Sequence, residues 1–305
     1  MLKILDNNYE NLFIRFYRSY PTHFLFSYCK LKLSNKYDLK KERSLQYYDQ
    51  HLHTYFSPDS TETFENYLKQ SDLPLVTTEH LDYFSSLQNM PNVIPDFDGY
   101  SATIRELNET NNQRLLKGLE AGFTYDDRHR MKDFVDGKDY DIILLSIHHN
   151  GRHGFMHLNH DTRSLPDHLQ EYFDIMLKGV QNAPYANVLA HFDFGLRGYD
   201  NVSIEDLAPV EDKLTEIFKT LITNDQALEL NTRSMYRYDN AHLYDHIIGL
   251  YRSLGGKMFT VSSDAHVAAD YQLHFSDAFS MLKQHDVKEL VVFKNQEPTF
   301  VTLPK

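Results

Sequence analysis

From about Tyr47 onward, short runs of apolar residues alternate with longer segments in which apolar positions recur every three to four residues. That alternation of periods predicts repeating βα units packed as a parallel sheet or barrel. Strands are predicted at Gln46–Leu52, Leu75–Thr78, Arg114–Leu119, Asp141–Ile147, Asn187–Ala190, Ala227–Leu230, Met258–Val261 and Glu289–Phe293. Between them, Leu169, Tyr172, Phe173, Met176, Leu177 and Val180 share one helical face, as do Val210, Leu214, Ile217, Phe218, Leu221 and Ile222. Such stripes are the core-facing sides of helices. Asn150 to Pro166 has His, Gly, Arg and Asn but no period, so it is predicted to be a long loop directly after a strand. Residues 1–45 do not continue the rhythm, and their aromatics (Phe13, Phe16, Tyr17, Tyr20, Phe24, Phe26, Tyr28) fit no single stripe. The chain is therefore read as an N-terminal extension, 1–45, either a packed cap or a dispensable addition, followed by an α/β domain, 46–305.

Charge and cysteine content narrow the function. A net charge of −12 repels a phosphate backbone, which argues against a general nucleic-acid binder. Cys29 is the only cysteine, so neither an intramolecular disulfide nor a cysteine-based zinc knuckle can form, and a reducing compartment is expected. No uninterrupted apolar run approaches the roughly 20 residues that cross a bilayer. Asp6 and Glu10 precede the aromatic-rich stretch Leu12–Leu33 where a signal peptide would be basic. The expectation is a cytoplasmic protein without a membrane or nucleic-acid partner.

The 17 histidines are distinctive by position, because several follow short β-like runs. In parallel α/β folds, active sites collect at the C-terminal edge of the strands. Reading that edge gives His51-Leu52-His53, Glu79-His80, Glu120, His148, His191-Phe192-Asp193 and Asp264-Ala265-His266. The i, i+2 spacing of His51 and His53 points both imidazoles to one side of a strand. Any one of these histidines has an innocent explanation, but their recurrence at one edge points to metal ligation. Imidazole and carboxylate without thiolate suit Zn²⁺, Mn²⁺ or Fe²⁺. No Gly-x-Ser-x-Gly elbow, phosphate loop or His-Glu-x-x-His helix competes with that reading.

The motifs His51-Leu52-His53-Thr54 with Ser57 and Asp59, Thr78-Glu79-His80, Lys117-Gly118-Leu119-Glu120, Ser146-Ile147-His148, Ala190-His191-Phe192-Asp193, Leu230-Asn231-Thr232 and Ser263-Asp264-Ala265-His266 together resemble the polymerase-and-histidinol-phosphatase (PHP) superfamily. Leu228 to Ser234 and Gly255 to His266 most resemble its monofunctional histidinol-phosphatases. The resemblance runs from about residue 47 to the C-terminus and leaves the first 45 residues unmatched. It implies a distorted (β/α)₇ TIM-like barrel with three divalent ions at the C-terminal strand edge. By resemblance, His51, His53, Glu120 and Asp264 hold the first ion; Glu120, shared, holds the second with His148 and His191; and Asp59, His80 and His266 hold the third.

That arrangement implies a phosphomonoesterase. Two cations sharing a carboxylate lower the pKa of a water between them, so a metal-bridging hydroxide is the expected nucleophile. Glu120, His148 and Asp264 are the expected catalytic residues. Arg197 and Arg233 are the candidates for binding phosphate, since guanidinium donors match its oxygens. Asp49 and Asp193 are expected to orient imidazoles, as are Glu79 and Asp82 beside His80. His149 and His153, at the head of the long loop, are expected to be solvent-exposed, with a substrate contact as the alternative. The substrate implied is L-histidinol phosphate, in histidine biosynthesis. Another small phosphate ester, a nucleotide or a phosphotyrosyl peptide is the alternative, and a non-catalytic PHP module a further one. Metal identity and oligomeric state stay open at this point.

Overall fold

The computed structural model describes residues 45–84, 90–157 and 163–305. The N-terminal extension thus lies outside the described residues, save Leu45, as does the 158–162 part of the predicted loop.

Six strands, β1 (Leu75–Asp82), β2 (Leu115–Gly122), β3 (Ile142–Ser146), β4 (Val188–Leu189), β5 (Ala227–Asn231) and β6 (Phe259–Ser262), form one parallel sheet in sequence order. Their residues are buried almost throughout, which is why they read as continuous apolar runs and not as alternating ones. Helices α1 (Phe64–Leu68), α2 (Phe97–Thr110), α3 (Arg128–Val135), α4 (Leu165–Asn182), α5 (Ile204–Leu207), α6 (Glu211–Thr223), α7 (Thr232–Arg237), α8 (Ala241–Ser253) and α9 (Phe275–Gln284) are spread along the chain before, between and after the strands. Ser164 caps α4, its hydroxyl accepting from Asp167 N, and Pro166 occupies the first turn, where its missing N–H costs nothing. The predicted stripes on α4 and α6 are buried, with Leu177 and Ile222 at their margins partly so.

The first predicted strand, Gln46–Leu52, is extended but forms no regular ladder. Only Leu52 bridges, parallel to Thr77 on one side and to Ala265 on the other. Thr78 N donates to Leu52 O (2.7 Å), Val76 N to Asp49 O (3.1 Å) and His53 N to Ala265 O (2.9 Å). Side chains take the remaining ladder positions. The Tyr47 hydroxyl donates to Val261 O (2.7 Å), and Asp49 accepts from the hydroxyl (2.6 Å) and N–H (3.3 Å) of Ser263. The segment thus joins the β1 and β6 edges and closes the sheet as the seventh stave of a distorted TIM-like barrel.

The last predicted strand is also placed differently. β7 (Glu289–Lys294) pairs antiparallel with β8 (Glu297–Thr302), a strand not anticipated from the sequence. This hairpin is tied to the closing segment by Gln50, whose carboxamide donates to Val291 O (2.9 Å) and accepts from Phe293 N (2.8 Å).

Candidate metal centre

The C-terminal ends of the strands and the closing segment converge on Glu120. In the parallel register, His80 of β1 lies opposite Glu120 of β2. Glu120 Oε1 receives His148 Nε2 (3.0 Å), His191 Nε2 (2.7 Å) and the Ser146 hydroxyl (2.6 Å). Oε2 faces His51 Nε2 (3.3 Å), His53 Nε2 (3.3 Å) and His80 Nδ1 (3.2 Å). One buried carboxylate is therefore ringed by five imidazoles. Burial alone would push its pKa up, but His80, His51 and His148 outweigh burial and hold it well below the usual carboxylate range.

Asp264 adds a second carboxylate. Its backbone is left-handed (φ 50°), a conformation Asp tolerates better than most residues. Oδ1 lies 3.5 Å from His53 Nε2 and 3.8 Å from His51 Nε2, and Oδ2 lies 3.4 Å from Arg197 Nη2. Asp59 is half exposed at the rim, its Oδ2 3.4 Å from His80 Nε2 and 3.1 Å from His266 Nε2. Every residue expected as a ligand is thus brought into one cluster. Within it, His51, His53 and Glu120 offer ligand atoms within 4.8 Å of one another, as do Glu120, His148 and His191; His51, His191 and Asp264; and His53, His80 and His266.

Two features test whether these groups suit cations. His51 Nε2, His53 Nε2 and His80 Nδ1 are buried without a hydrogen-bond partner, close to carboxylate oxygens but not aligned with them. Buried nitrogens normally find a partner, and a bound cation would provide one. The opposite ring nitrogens of three of the clustered histidines are also fixed. His51 Nδ1 meets Glu229 (2.8 Å), and His148 Nδ1 meets Asp82 (2.9 Å). His53 Nδ1 meets Ser57 Oγ (3.2 Å), which itself donates to Glu79 (2.6 Å). Each partner accepts the Nδ1 proton and leaves Nε2 as the nitrogen turned inward, free to ligate once it gives up any proton of its own, as metal-binding histidines require. The residues present fit divalent ions.

The orienting roles are redistributed relative to the sequence reading. Asp82 serves His148, lying 3.8 Å from His80. Glu79 acts on His53 through Ser57 because its oxygens are taken by Ser57 and Thr54. Asp49 touches no imidazole; its bonds to Ser263 and to His51 N hold the closing segment. Asp193 also touches none, accepting instead from Ser234, Asn240 and Tyr244. His149 is buried, its ring against Phe84, and burial lowers its pKa to about 4; His153 is exposed as expected. Glu229 was not singled out from sequence, yet it binds His51 and accepts from His191 N (2.7 Å). Its only signal is a carboxylate inside the apolar run Ala227–Leu230. Gly122 is another, since a Cβ there would fall 1.8 Å from Asp82 Oδ1.

Over the cluster opens a cavity of about 360 Å³. Asp59, His80, Glu120, His148, His191, Asp264 and His266 face it, and Phe84, Val93, Met156, Phe194 and Tyr238 form its apolar wall. Arg197 and Arg233 both line it. The Arg197 side chain is 4% exposed, its guanidinium bonded through Nε to Ser234 Oγ (2.8 Å) and set between the rings of Phe194 and Tyr238. Arg233 is more open, its Nη1 donating to Asp264 O (3.1 Å) and contacting His266 Nδ1. The cluster is thus a polyvalent cation site beside two guanidinium groups, suited to an anionic ligand.

Comparison with known proteins agrees with this chemistry. The PHP domain profile matches residues 49–233. The chain is 27% identical over 247 residues to a probable histidinol-phosphatase of Clostridium acetobutylicum, covering 79% of this chain and 94% of that one. It is 26% identical over 261 residues to the histidinol-phosphatase of Lactococcus lactis, covering 82% and 95% respectively. The crystal structure of histidinol phosphate phosphatase from Lactococcus lactis, complexed with zinc, L-histidinol and phosphate, superposes with a TM-score of 0.74 at 25% identity, covering 82% of this chain and 98% of that one. With its domain matched over most of the barrel and its ligand types gathered at the C-terminal strand edge, the chain belongs to the PHP domain family.

Proposed function

We propose that the protein is a metal-dependent histidinol-phosphatase, hydrolysing L-histidinol phosphate to L-histidinol and phosphate. The observation that carries the reading is Glu120, buried among five imidazoles of which three turn an unpartnered nitrogen toward it. The relative whose structure holds zinc, L-histidinol and phosphate supports the choice of substrate.

In this reading His51, His53, Glu120 and Asp264 hold one ion, Glu120, His148 and His191 a second, and Asp59, His80 and His266 a third. When bound, the ions polarise the phosphoryl group and lower the pKa of the attacking water. Zn²⁺, Mn²⁺ and Fe²⁺ all suit the donor set. The chain's own residues do the rest. Glu229, Ser57 and Asp82 keep the Nδ1 protons of His51, His53 and His148 in place. Arg197 and Arg233 bind phosphate oxygens and neutralise charge that grows on them in the transition state. Phe84, Val93, Met156, Phe194 and Tyr238 pack the organic part and limit the water that reaches the phosphorus. Residues 46–305 form the catalytic domain, in the cytoplasm, and residues 1–45 precede it as an N-terminal extension.

The test is release of inorganic phosphate from L-histidinol phosphate beside a panel of other monoesters, with a chelated sample restored by Mn²⁺ or Zn²⁺. Metal-restored turnover favouring histidinol phosphate is the expected result. Metal-restored turnover favouring another ester would keep the chemistry and discard the substrate, and no turnover in the metal-loaded protein would discard both.

A further inference from the structure

Asp193 is buried, belongs to no ligand group of the centre, and was expected to orient an imidazole that it does not touch. Its carboxylate is nevertheless saturated with donors. Ser234 Oγ lies 2.7 Å from each oxygen, Asn240 Nδ2 is 2.7 Å from Oδ2, and Tyr244 OH is 2.7 Å from Oδ1. An ionised carboxylate only accepts, so the Ser234 proton is committed to Asp193 and the hydroxyl's lone pairs face away from it. One of them receives the Arg197 Nε proton at 2.8 Å. The direction of the chain from Arg197 to Ser234 to Asp193 is fixed, because a guanidinium only donates.

The same chain answers an electrostatic need. Arg197 carries its charge in a nearly closed site, where an uncompensated guanidinium is costly. Its nearest carboxylate, Asp264 at 3.4 Å, is shared with the ligand group His51, His191 and Asp264, so a cation there competes for that charge. Asp193 has no such competitor.

We propose that Asp193 is the positioning residue and dedicated counter-charge of Arg197, acting through the Ser234 hydroxyl, and thereby sets the affinity of the site for phosphate. The inference rests on the reading that Arg197 binds phosphate. Asp193 and Ser234 do not touch the reacting atoms; they hold the guanidinium between Phe194 and Tyr238 so that it meets a phosphate oxygen without reorganising.

The test is binding of inorganic phosphate to the metal-loaded protein by calorimetry, which needs no turnover, with metal content per chain measured in parallel. Ser234→Ala and Asp193→Asn are expected to weaken phosphate binding roughly tenfold at unchanged metal content, about the loss of one hydrogen bond to a charged group. Ser234→Thr restores a hydroxyl and is expected to restore affinity. The double variant Arg197→Ala/Ser234→Ala is expected to be no weaker than Arg197→Ala, because residues acting through one another are not additive. Full phosphate affinity in Ser234→Ala would overturn the inference, as would additive losses in the double variant. Should Asp193→Asn fail to fold, Ser234→Ala and its Thr rescue decide alone. If Arg197→Ala itself leaves phosphate binding unchanged, the underlying assignment of Arg197 fails, a result distinct from failure of the relay.

Discussion

Glu120 concentrates the chemistry, and its surroundings make sharp demands on single substitutions. Glu120→Gln keeps the volume but removes the charge that faces five imidazoles. The expected outcome is loss of bound metal, by plasma mass spectrometry, together with loss of phosphate release. Retention of both would contradict its place at the centre. Glu229→Gln is expected to be milder, costing about 10–100-fold in metal affinity, because it weakens the orientation of His51 without removing a ligand. Gly122→Ala tests the supporting pair, since its methyl would meet both Asp82 Oδ1 and His148 Nδ1. Either variant bound to metal as tightly as the parent would refute the orienting role. The pH dependence follows from the same groups. Although burial opposes it, Glu229, Glu120 and Asp264 raise the His51 pKa, as Asp82 and Glu120 do for His148. A raised pKa means the imidazole keeps its proton to higher pH, and ligation must displace that proton. Metal affinity should therefore fall as pH drops, with less metal retained after dialysis at pH 5 than at pH 8.

Strands β1–β6 were legible as apolar runs because both faces of a parallel sheet are buried. The clustered histidines and carboxylates were legible because most of them follow those runs. What escaped did so for local physical reasons. Residues 46–52 have the composition of a strand, but Tyr47 and Asp49 replace main-chain partners with their side chains, a substitution that no periodicity records. β8 is exposed along most of its length and contains Pro298, so neither burial nor β-propensity announces it. Glu229 looks like an interruption of an apolar run until His51 is seen against it. The orienting carboxylates were misassigned because their partners lie far along the chain, as with Asp82 and His148 or Asp193 and Ser234. The unforeseen closure carries its own prediction. Gln50 is buried and joins the closing segment to β7 by two hydrogen bonds. Gln50→Ala leaves Val291 O and Phe293 N without that partner, at about 1–3 kcal/mol for each group so exposed. Urea denaturation should show a loss of roughly 2–6 kcal/mol, and an unchanged midpoint and slope would show that the carboxamide does not tie the barrel together.

A barrel whose C-terminal rim is built from imidazoles and carboxylates has a stability that depends on what occupies the rim. Three ring nitrogens facing Glu120 there lack partners, while Glu120 and Asp264 are buried with their charge. Burial penalises the charge of both carboxylates, and in the metal-free chain the surrounding imidazoles, with Arg233 beside Asp264, offset it. Cations that bind the folded state alone stabilise it by mass action, about 4 kcal/mol when free metal exceeds the dissociation constant a thousandfold. For a domain of this size, each kcal/mol moves the midpoint by roughly 2–4 °C. Chelation should therefore lower the thermal midpoint by about 10 °C, and Zn²⁺ or Mn²⁺ should restore it. The residues of the closing segment, which supplies His51 and His53 between the β1 and β6 edges, should lose hydrogen-exchange protection first, because their ladder is partly made of side chains. A midpoint indifferent to chelator, with metal removal verified independently, would mean that the imidazole–carboxylate attractions suffice on their own and that cations contribute chemistry without contributing to the fold.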